Sequence, residues 1–305
     1  MTECERIINK GIIPEGFLKE ETLCDFLVTE ERKKLWMISL DMLLEFDKVC
    51  KKHNIKYFLM GGTLLGAIRH KGFVPWDDDT DVMMLRDDYE KFKSLEHEFQ
   101  HPYFLQTPQN DPGNLYSTVR IRNSNTTMLV NMFKYEKFNQ GVWLTVFPID
   151  NWDINGGEER RARIEELLKD NSTYMRMSNP NLSEADKIRV QNYSGRNPLE
   201  VNDEIHQIAM RDKNRHTGYV ALAVTTVYPL KNLIYRSEVF ADTVDVEFEG
   251  FKFPAPIGYD EYLTTAYGNY MELPPVEKRG NWHEGLLIDP DRPYTEYLKD
   301  NNSTI

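Results

Sequence analysis

The chain has 305 residues, and 37 Lys+Arg against 49 Asp+Glu leave a formal net charge of −12, with no Lys/Arg-dense run, which excludes a dedicated nucleic-acid binder. Hydrophobic residues at 40% and charged residues at 28% exclude a disordered chain. Three cysteines, Cys4, Cys24 and Cys50, form no CxxC pair, so a disulfide framework or zinc ribbon is excluded and a reducing compartment is expected.

The N-terminal run MTECERIINKGIIPEG lacks the cationic start and apolar core of a secretion signal, and no window reaches the ~20 apolar residues of a membrane span. The expectation is a cytoplasmic protein, with peripheral contact at the inner face of a membrane left open. Residues 1–28, with Gly11, Pro14 and Gly16, read as an N-terminal arm or short hairpin. Thr29 is a helix N-cap followed by Glu30 and Glu31, and Leu35, Ile38, Met42, Phe46 and Val49 mark one helical face that ends near His53-Asn54. Tyr57–Met60 is a short apolar strand running into Gly61-Gly62-Thr63, where Leu64, Leu65 and Ile68 start a short helix before Gly72 and Pro75.

Trp76–Leu85 is entered through acidic residues and continues as an apolar strand. Further strands are expected at 116–122, 126–130, 141–149 and 219–227, with a hairpin over 244–253 turning at Glu249-Gly250. Helices are expected over 158–169, 184–191 and 201–210. No repeat, low-complexity tract or flexible linker divides the chain, so a single elaborated α+β domain is expected.

The acidic cluster carries the chemistry. Asp77, Asp78, Asp79 and Asp81 fall within five positions, and on a strand Asp79 and Asp81 share a face with Cα atoms about 7 Å apart. Two such carboxylates can grip one Mg²⁺ or Mn²⁺, the arrangement phosphoryl chemistry uses. A solvated acidic turn is the plain alternative, but Met83 and Leu85 continue the carboxylate face toward a core. An EF-hand fails, because Val82 stands where its glycine belongs and no Glu closes the loop. The DxD motif of sugar-nucleotide glycosyltransferases stays open. Gly61 and Gly62, ending a strand and opening a helix, mark a place where backbone N–H groups can approach a phosphate.

The run YFLMGGTLLGAIRHKGFVPWDDDTDVMMLRDDYEKF (57–92) resembles the signature of the LicD family, which includes the fukutin-related proteins. The likeness continues through VRIRNSNTT (119–127), WLTVFPID (143–150), FEGFKFPAPIGYDEYLTTAYGNYMELPP (248–275) and KRGNWH (278–283). It implies a nucleotidyltransferase-like mixed sheet flanked by helices with a C-terminal helical and hairpin elaboration: a domain over 29–290, with a core at about 29–153 and the elaboration at about 154–290, and a tail at 291–305. It implies a metal-dependent phosphotransferase that moves a phosphoalcohol, most characteristically phosphocholine from CDP-choline, to a hydroxyl of a cell-surface glycan such as a teichoic acid, lipopolysaccharide or capsule precursor, releasing CMP. CDP-ribitol or CDP-glycerol as donor, and a non-catalytic nucleotide- or glycan-binding member, remain alternatives.

By position, the resemblance places donor phosphate on Gly61, Gly62 and Thr63, and the metal on Asp79 and Asp81 with Asp77 and Asp78 beside them. Arg69, His70, Arg120, Arg122 and Arg279 are candidate phosphate contacts. Trp76, Tyr267, Tyr270 and Trp282 are candidates for a cage around choline, since cation–π attraction needs no donor on the ligand. Two departures stand out: Thr145 occupies a place where relatives usually carry Asp, and so does Asn269. A Thr hydroxyl cannot supply a carboxylate's charge or basicity, so Asp150, Asp153 and His283 become candidates for the catalytic base.

Overall fold

The structure is a computed structural model, and it describes residues 1–193, 195–225, 232–280 and 287–302. The expectations at Trp282 and His283, and the end of the strand expected over 219–227, lie outside the described residues.

Helix α1 (Glu3–Ile8) is followed by the hairpin of β1 (Glu21–Leu23) and β2 (Phe26–Val28). The long helix α2 (Glu30–His53) then starts as its sequence dictates. The Thr29 hydroxyl accepts from the Arg32 N–H at 3.3 Å, and the helix stops at Asn54, whose φ of 52° is left-handed. Leu35, Ile38, Met42, Phe46 and Val49 are all buried, so the face with helical spacing is the face the core receives.

A mixed sheet of seven strands lies against α2. Its centre is β8 (Val142–Asn151), which pairs in parallel with β4 (Thr80–Leu85) on one edge and antiparallel with β6 (Val119–Asn123) on the other. Strand β3 (Phe58–Leu59) joins β4 antiparallel, and β5 (Tyr103–Gln106) joins β6. Helix α3 (Gly61–Arg69) fills the connection between β3 and β4, and α4 (Arg86–Lys93) follows β4 directly. At its far end β8 pairs with β9 (Tyr219–Ala221), which pairs with β10 (Ile234–Arg236).

Helices α5 (Gly157–Tyr174), α6 (Glu184–Tyr193) and α7 (Pro198–Ala209) build a second, smaller core from Trp152, Ile164, Leu167, Tyr193, Val201 and Ile205. The hairpin of β11 (Thr243–Phe248) and β12 (Phe251–Pro256) turns at Glu249-Gly250, both at positive φ, and lies against β3. Helix α8 (Tyr259–Tyr267) comes next. Strand β13 (Leu287–Asp289) then pairs with β7 (Thr127–Leu129), and α9 (Tyr294–Asn302) closes the described chain. The two ends of the chain meet, as the Cys4 N–H donates to Asp291 Oδ1 at 2.8 Å.

Asp150 belongs to the frame of this fold rather than to a catalytic centre. It lies five residues along β8 from Thr145, about 16 Å away at strand rise. Arg86 holds both its oxygens, Nε to Oδ1 at 2.7 Å and Nη2 to Oδ2 at 2.6 Å, with both side chains buried. The same guanidinium reaches Glu90 at 2.9 Å and His206 Nδ1 at 3.1 Å, so one arginine ties α4, β8 and α7 together. Asp153, the other carboxylate considered as a base, pairs with Arg215 at 3.1 Å on the elaboration side. Removing one partner of a buried pair strands the other charge. Asp150→Ala is therefore expected to lower the unfolding free energy by about 3–5 kcal/mol, read from the urea midpoint at constant m; a loss below about 1 kcal/mol would show the clamp to be dispensable.

Candidate active site

The four acidic residues sit where the turn after α3 enters β4. Oxygens of Asp77, Asp78 and Asp79 lie within 4.8 Å of one another, with Asp77 and Asp78 buried and Asp79 half-buried. Asp81, also half-buried, lies inside β4 while Asp79 precedes the strand, and the charges of Asp79 and Asp77 act on it. Helix α2 anchors this turn. Arg32 Nη1 and Trp36 Nε1 both donate to the Asp77 carbonyl, at 2.6 and 3.1 Å. The Asp78 N–H donates to Asp77 Oδ1 at 3.2 Å, and the Asp81 N–H to the Thr63 hydroxyl at 2.9 Å.

Packing like charges this closely out of water disfavours their ionised forms. Burial, then the neighbouring carboxylates, pushes Asp77 and Asp81 well above the ordinary carboxylate range. Burial pulls Arg32 down, while Asp78 and Asp77 pull it back up. A set made only of carboxylate oxygens suits a hard divalent cation, which would relieve the repulsion the fold imposes. Among the described residues no other cluster of three His, Cys, Asp or Glu side chains comes as close.

The glycine pair makes room for this cluster. Gly61 has a φ of +55°, which an L side chain rarely adopts, and its N–H donates to the Tyr262 hydroxyl at 3.2 Å. A Cβ on Gly62 would stand 1.9 Å from Asp77 Oδ2, so only glycine lets the carboxylate lie against the start of α3. A Cβ on Gly61 would stand 3.6 Å from the Tyr267 hydroxyl and 3.8 Å from Asp81 Oδ2. Gly61, Gly62 and Thr63 thus meet the carboxylates, at the positive end of the helix dipole.

Across the sheet, Asp81 stands in register with Thr145, and Thr145 with Arg120. The three side chains share one face, and the Thr145 hydroxyl beside the Asp81 carboxylate favours its ionised form. The Arg120 guanidinium carbon lies 3.6 Å from the Tyr116 ring centroid and 4.9 Å from that of Trp143. Arg122, expected beside it as a second phosphate contact, is only 2% exposed and donates to Gln106 Oε1 and the Gly141 carbonyl, both at 2.8 Å. Burial and Arg120 hold its pKa down to about 9. Its alternation along β6 is right for the site, but its donors are used inside the core.

The remaining candidates form a rim. Arg69 donates to His70 Nε2 at 2.9 Å and to the carbonyls of Tyr270 and Glu272 at 2.7 and 3.2 Å. Burial and Arg69 push His70 down to about 4, so at neutral pH it is uncharged and already accepts a hydrogen bond. Arg279 donates to the carbonyls of Pro274 and Cys24 at 2.8 and 2.6 Å. Trp76 is buried and has two guanidinium groups near its ring, Arg69 at 6.0 Å and Arg279 at 5.3 Å. A choline cage on Trp76 would have to displace cations the protein itself supplies. Tyr267 stands beside Gly61, whereas the Tyr270 hydroxyl is held by Asp260 at 2.7 Å. Sequence reasoning missed Arg32, Trp36, Tyr116 and Tyr262. Each acts through the fold, and Tyr262 is some two hundred residues from the glycine it meets, so no local pattern marks it.

The family described as LicD/FKTN/FKRP, nucleotidyltransferase domain, matches residues 54–155, the span that holds the glycine pair, the carboxylates, Arg120 and Thr145. The lipopolysaccharide cholinephosphotransferase LicD of Haemophilus influenzae is 27% identical over 259 residues, 81% of this chain and 94% of that protein. Shorter likenesses reach two rickettsial proteins of uncharacterized role. RP689 of Rickettsia prowazekii is 34% identical over 89 residues, covering 27% of this chain and 34% of that one. RT0683 of Rickettsia typhi is 37% identical over 70 residues, covering 23% and 22%. Residues 54–155 are therefore similar to the LicD/FKTN/FKRP nucleotidyltransferase domain, and the carboxylate cluster lies inside that span.

Proposed function

We propose that the protein is a metal-dependent phosphotransferase that moves phosphocholine from CDP-choline to a hydroxyl of a cell-surface glycan and releases CMP. The observation that carries this reading is the buried carboxylate cluster against the start of α3, within a chain that aligns with 94% of a lipopolysaccharide cholinephosphotransferase. In the reaction the acceptor oxygen bonds to the phosphorus bearing choline, the bond from that phosphorus to the bridging oxygen breaks, and CMP leaves with that oxygen. The hydroxyl proton passes to solvent.

Asp79 and Asp81 would hold the cation, with Asp77 and Asp78 beside them. A divalent cation bound there supplies charge neutralisation for the phosphate oxygens. The chain's own residues fix the geometry. Gly62 admits the Asp77 carboxylate, Thr63 and Thr145 orient Asp81, and Arg32 with Trp36 pins the turn. Neither of the described base candidates is free, since Asp150 is clamped by Arg86 and Asp153 pairs with Arg215. In-line transfer with a nucleotide leaving group depends mainly on positioning and charge neutralisation, so a dedicated base is not required. No helix among the described residues is long and apolar enough to cross a membrane; the reading keeps the protein on the cytoplasmic side, where it meets its acceptor precursor.

Two expected outcomes test this. Purified protein with Mg²⁺ or Mn²⁺, an extracted glycan precursor and CDP-choline should release CMP, and both EDTA and Asp79→Ala should abolish release without unfolding the chain. Turnover with CDP-ribitol or CDP-glycerol alone would change the donor, turnover with a UDP-sugar would change the reaction class, and near-normal rates in Asp79→Ala would sink the metal assignment.

The second outcome concerns stability. Because Asp77 and Asp81 have raised pKa values in the fold, their contribution to stability is fully present below the ordinary carboxylate pKa and is lost as pH rises through the raised values. A bound cation offsets that loss at neutral pH by about 2.7 kcal/mol at 100 times its Kd. Mg²⁺ or Mn²⁺ should therefore raise Tm by several degrees at pH 7.5 and by progressively less as pH falls. Asp79→Asn should raise the metal-free Tm and cancel the metal-induced shift. A Tm indifferent to both EDTA and pH would contradict the cluster's role.

A further inference from the structure

We infer that the cavity between the N-terminal arm and the far end of α3 is a sugar subsite, which seats one unit of the acceptor glycan beside the reaction centre. This deepens the phosphotransferase reading and rests on it for the acceptor being a glycan.

The cavity measures about 440 Å³, a volume within the range of small-ligand sites. Phe17, Leu23 and Cys24 of the arm and its hairpin form one wall, and Lys33 and Trp36 of α2 form another. Residues 70–73 and Glu249, from the tip of the β11–β12 hairpin, complete the lining. The fold gives up conformational ease to bring side chains here. A Cβ on Gly72 would stand 2.1 Å from Glu249 Oε1, so only glycine admits that carboxylate. Cys24, Lys71 and Glu249 have φ of 50°, 60° and 50°, and they are three of the five non-glycine residues at positive φ among the described residues. Cys24 and Glu249 each open a two-residue hairpin turn, a place where glycine is the easier choice, and both line the same cavity.

The polar groups keep capacity for a ligand. Glu249 Oε1 accepts the Phe73 N–H at 3.1 Å, while Oε2 has no partner among the described residues. Lys33 pairs with Glu21, and an ammonium with one carboxylate partner retains further donors. Charge then selects among ligands. Glu15, Glu21 and Glu249 face Lys33 and Lys71, with His70 uncharged at neutral pH, so the lining has no positive excess to hold a phosphate. A choline ammonium would meet Lys33 already placed over the rings of Phe17 and Trp36, 5.1 Å from each centroid. A sugar ring suits what is left, with hydroxyls that donate to Glu249 and accept from Lys33, and C–H groups against Phe17 and Leu23.

Position makes the ligand part of the acceptor. The cavity lies at the end of α3 opposite Gly61 and the carboxylates, about 12 Å along the helix. Trp36 lines it while its Nε1 donates to the Asp77 carbonyl, and Cys24 lines it while its carbonyl accepts from Arg279 of the rim. A sugar seated there is separated from the attacking hydroxyl by a short stretch of the same glycan.

The test is alkylation of Cys24 by iodoacetamide in the full chain, read by peptide mass spectrometry. Cys24 is half-buried in the cavity wall, whereas Cys4 and Cys50 are buried and burial pushes both thiols up, Cys4 to about 12, so Cys24 should react first. The probes are the methyl glycosides of glucose, galactose and N-acetylgalactosamine, and the extracted glycan precursor. The precursor and at least one glycoside should slow the reaction at Cys24, and choline chloride and inorganic phosphate should not. Glu249→Gln should weaken this protection about tenfold and raise the KM for the precursor by as much, without a matching rise in the KM for CDP-choline. Lys33→Gln should do the same and covers the case in which Glu249→Gln does not fold. Protection by choline or phosphate in place of the sugars, no protection by glycoside or precursor, or wild-type protection in both variants would each overturn the subsite. If sugars protect Cys24 but no CDP-alcohol yields CMP, the subsite stands and the phosphotransferase reading falls. If CMP is released and neither variant moves the KM for the precursor, only the subsite falls.

Discussion

The constraint on which this structure turns is the gathering of Asp77, Asp78, Asp79 and Asp81 at the mouth of one strand, largely out of water. Like charges at such separations repel strongly, and a fold that tolerates them must hold them by other means. The devices are visible around the cluster. Arg32 and Trp36 grip the Asp77 carbonyl from α2, Thr63 takes the Asp81 N–H, and the first turn of α3 presents its positive end. Gly62 gives up its side chain so that the Asp77 carboxylate can lie in the space. Together they make sense as the cost of presenting several oxygens to a cation.

Strand β8 is the second organising element, because it serves the site at one end and the frame at the other. Near its start, Thr145 stands between Asp81 and Arg120; near its end, Asp150 is locked to Arg86. Two acidic or polar side chains on one strand thus have opposite fates, decided by what the neighbouring elements bring to them. The Arg86 clamp joins α4, β8 and α7, so α7 of the elaboration is fixed to the sheet by a hydrogen bond between His206 and the ion-paired Arg86 as well as by the small core around Trp152. That anchoring leaves the Asp81 face of the sheet to the β6 arginines and the rim.

Much of this was legible in the amino-acid order where one local signal sufficed. The N-cap at Thr29, the spacing from Leu35 to Val49 and the turn at Glu249-Gly250 each fix their own element, and the structure has them there. Helix α4 was illegible because its buried positions are Arg86, Tyr89 and Phe92, so a clamped arginine and a tyrosine stand where hydropathy looks for aliphatics. The α+β class followed from elements in sequence, but the centrality of β8 depends on pairings across sixty residues. At the site, the carboxylates and glycines were legible as a pattern. The identity of what fills the space over Gly62 was not, since it is a contact between a helix start and the turn that follows. Arg120 and Arg122 are indistinguishable by alternation, and only Gln106 and the Gly141 carbonyl separate them.

The threonine at 145 is best understood through charge balance rather than as a missing base. The cluster already holds carboxylates whose ionisation burial and mutual repulsion oppose, and a further acid beside Asp81 would raise that opposition. It would also stand directly opposite Arg120 in the antiparallel pair of β8 and β6. With threonine, the group beside Asp81 carries no charge and favours its ionised form. The face then carries a carboxylate on β4 and a guanidinium on β6, with a neutral hydroxyl on β8 between them.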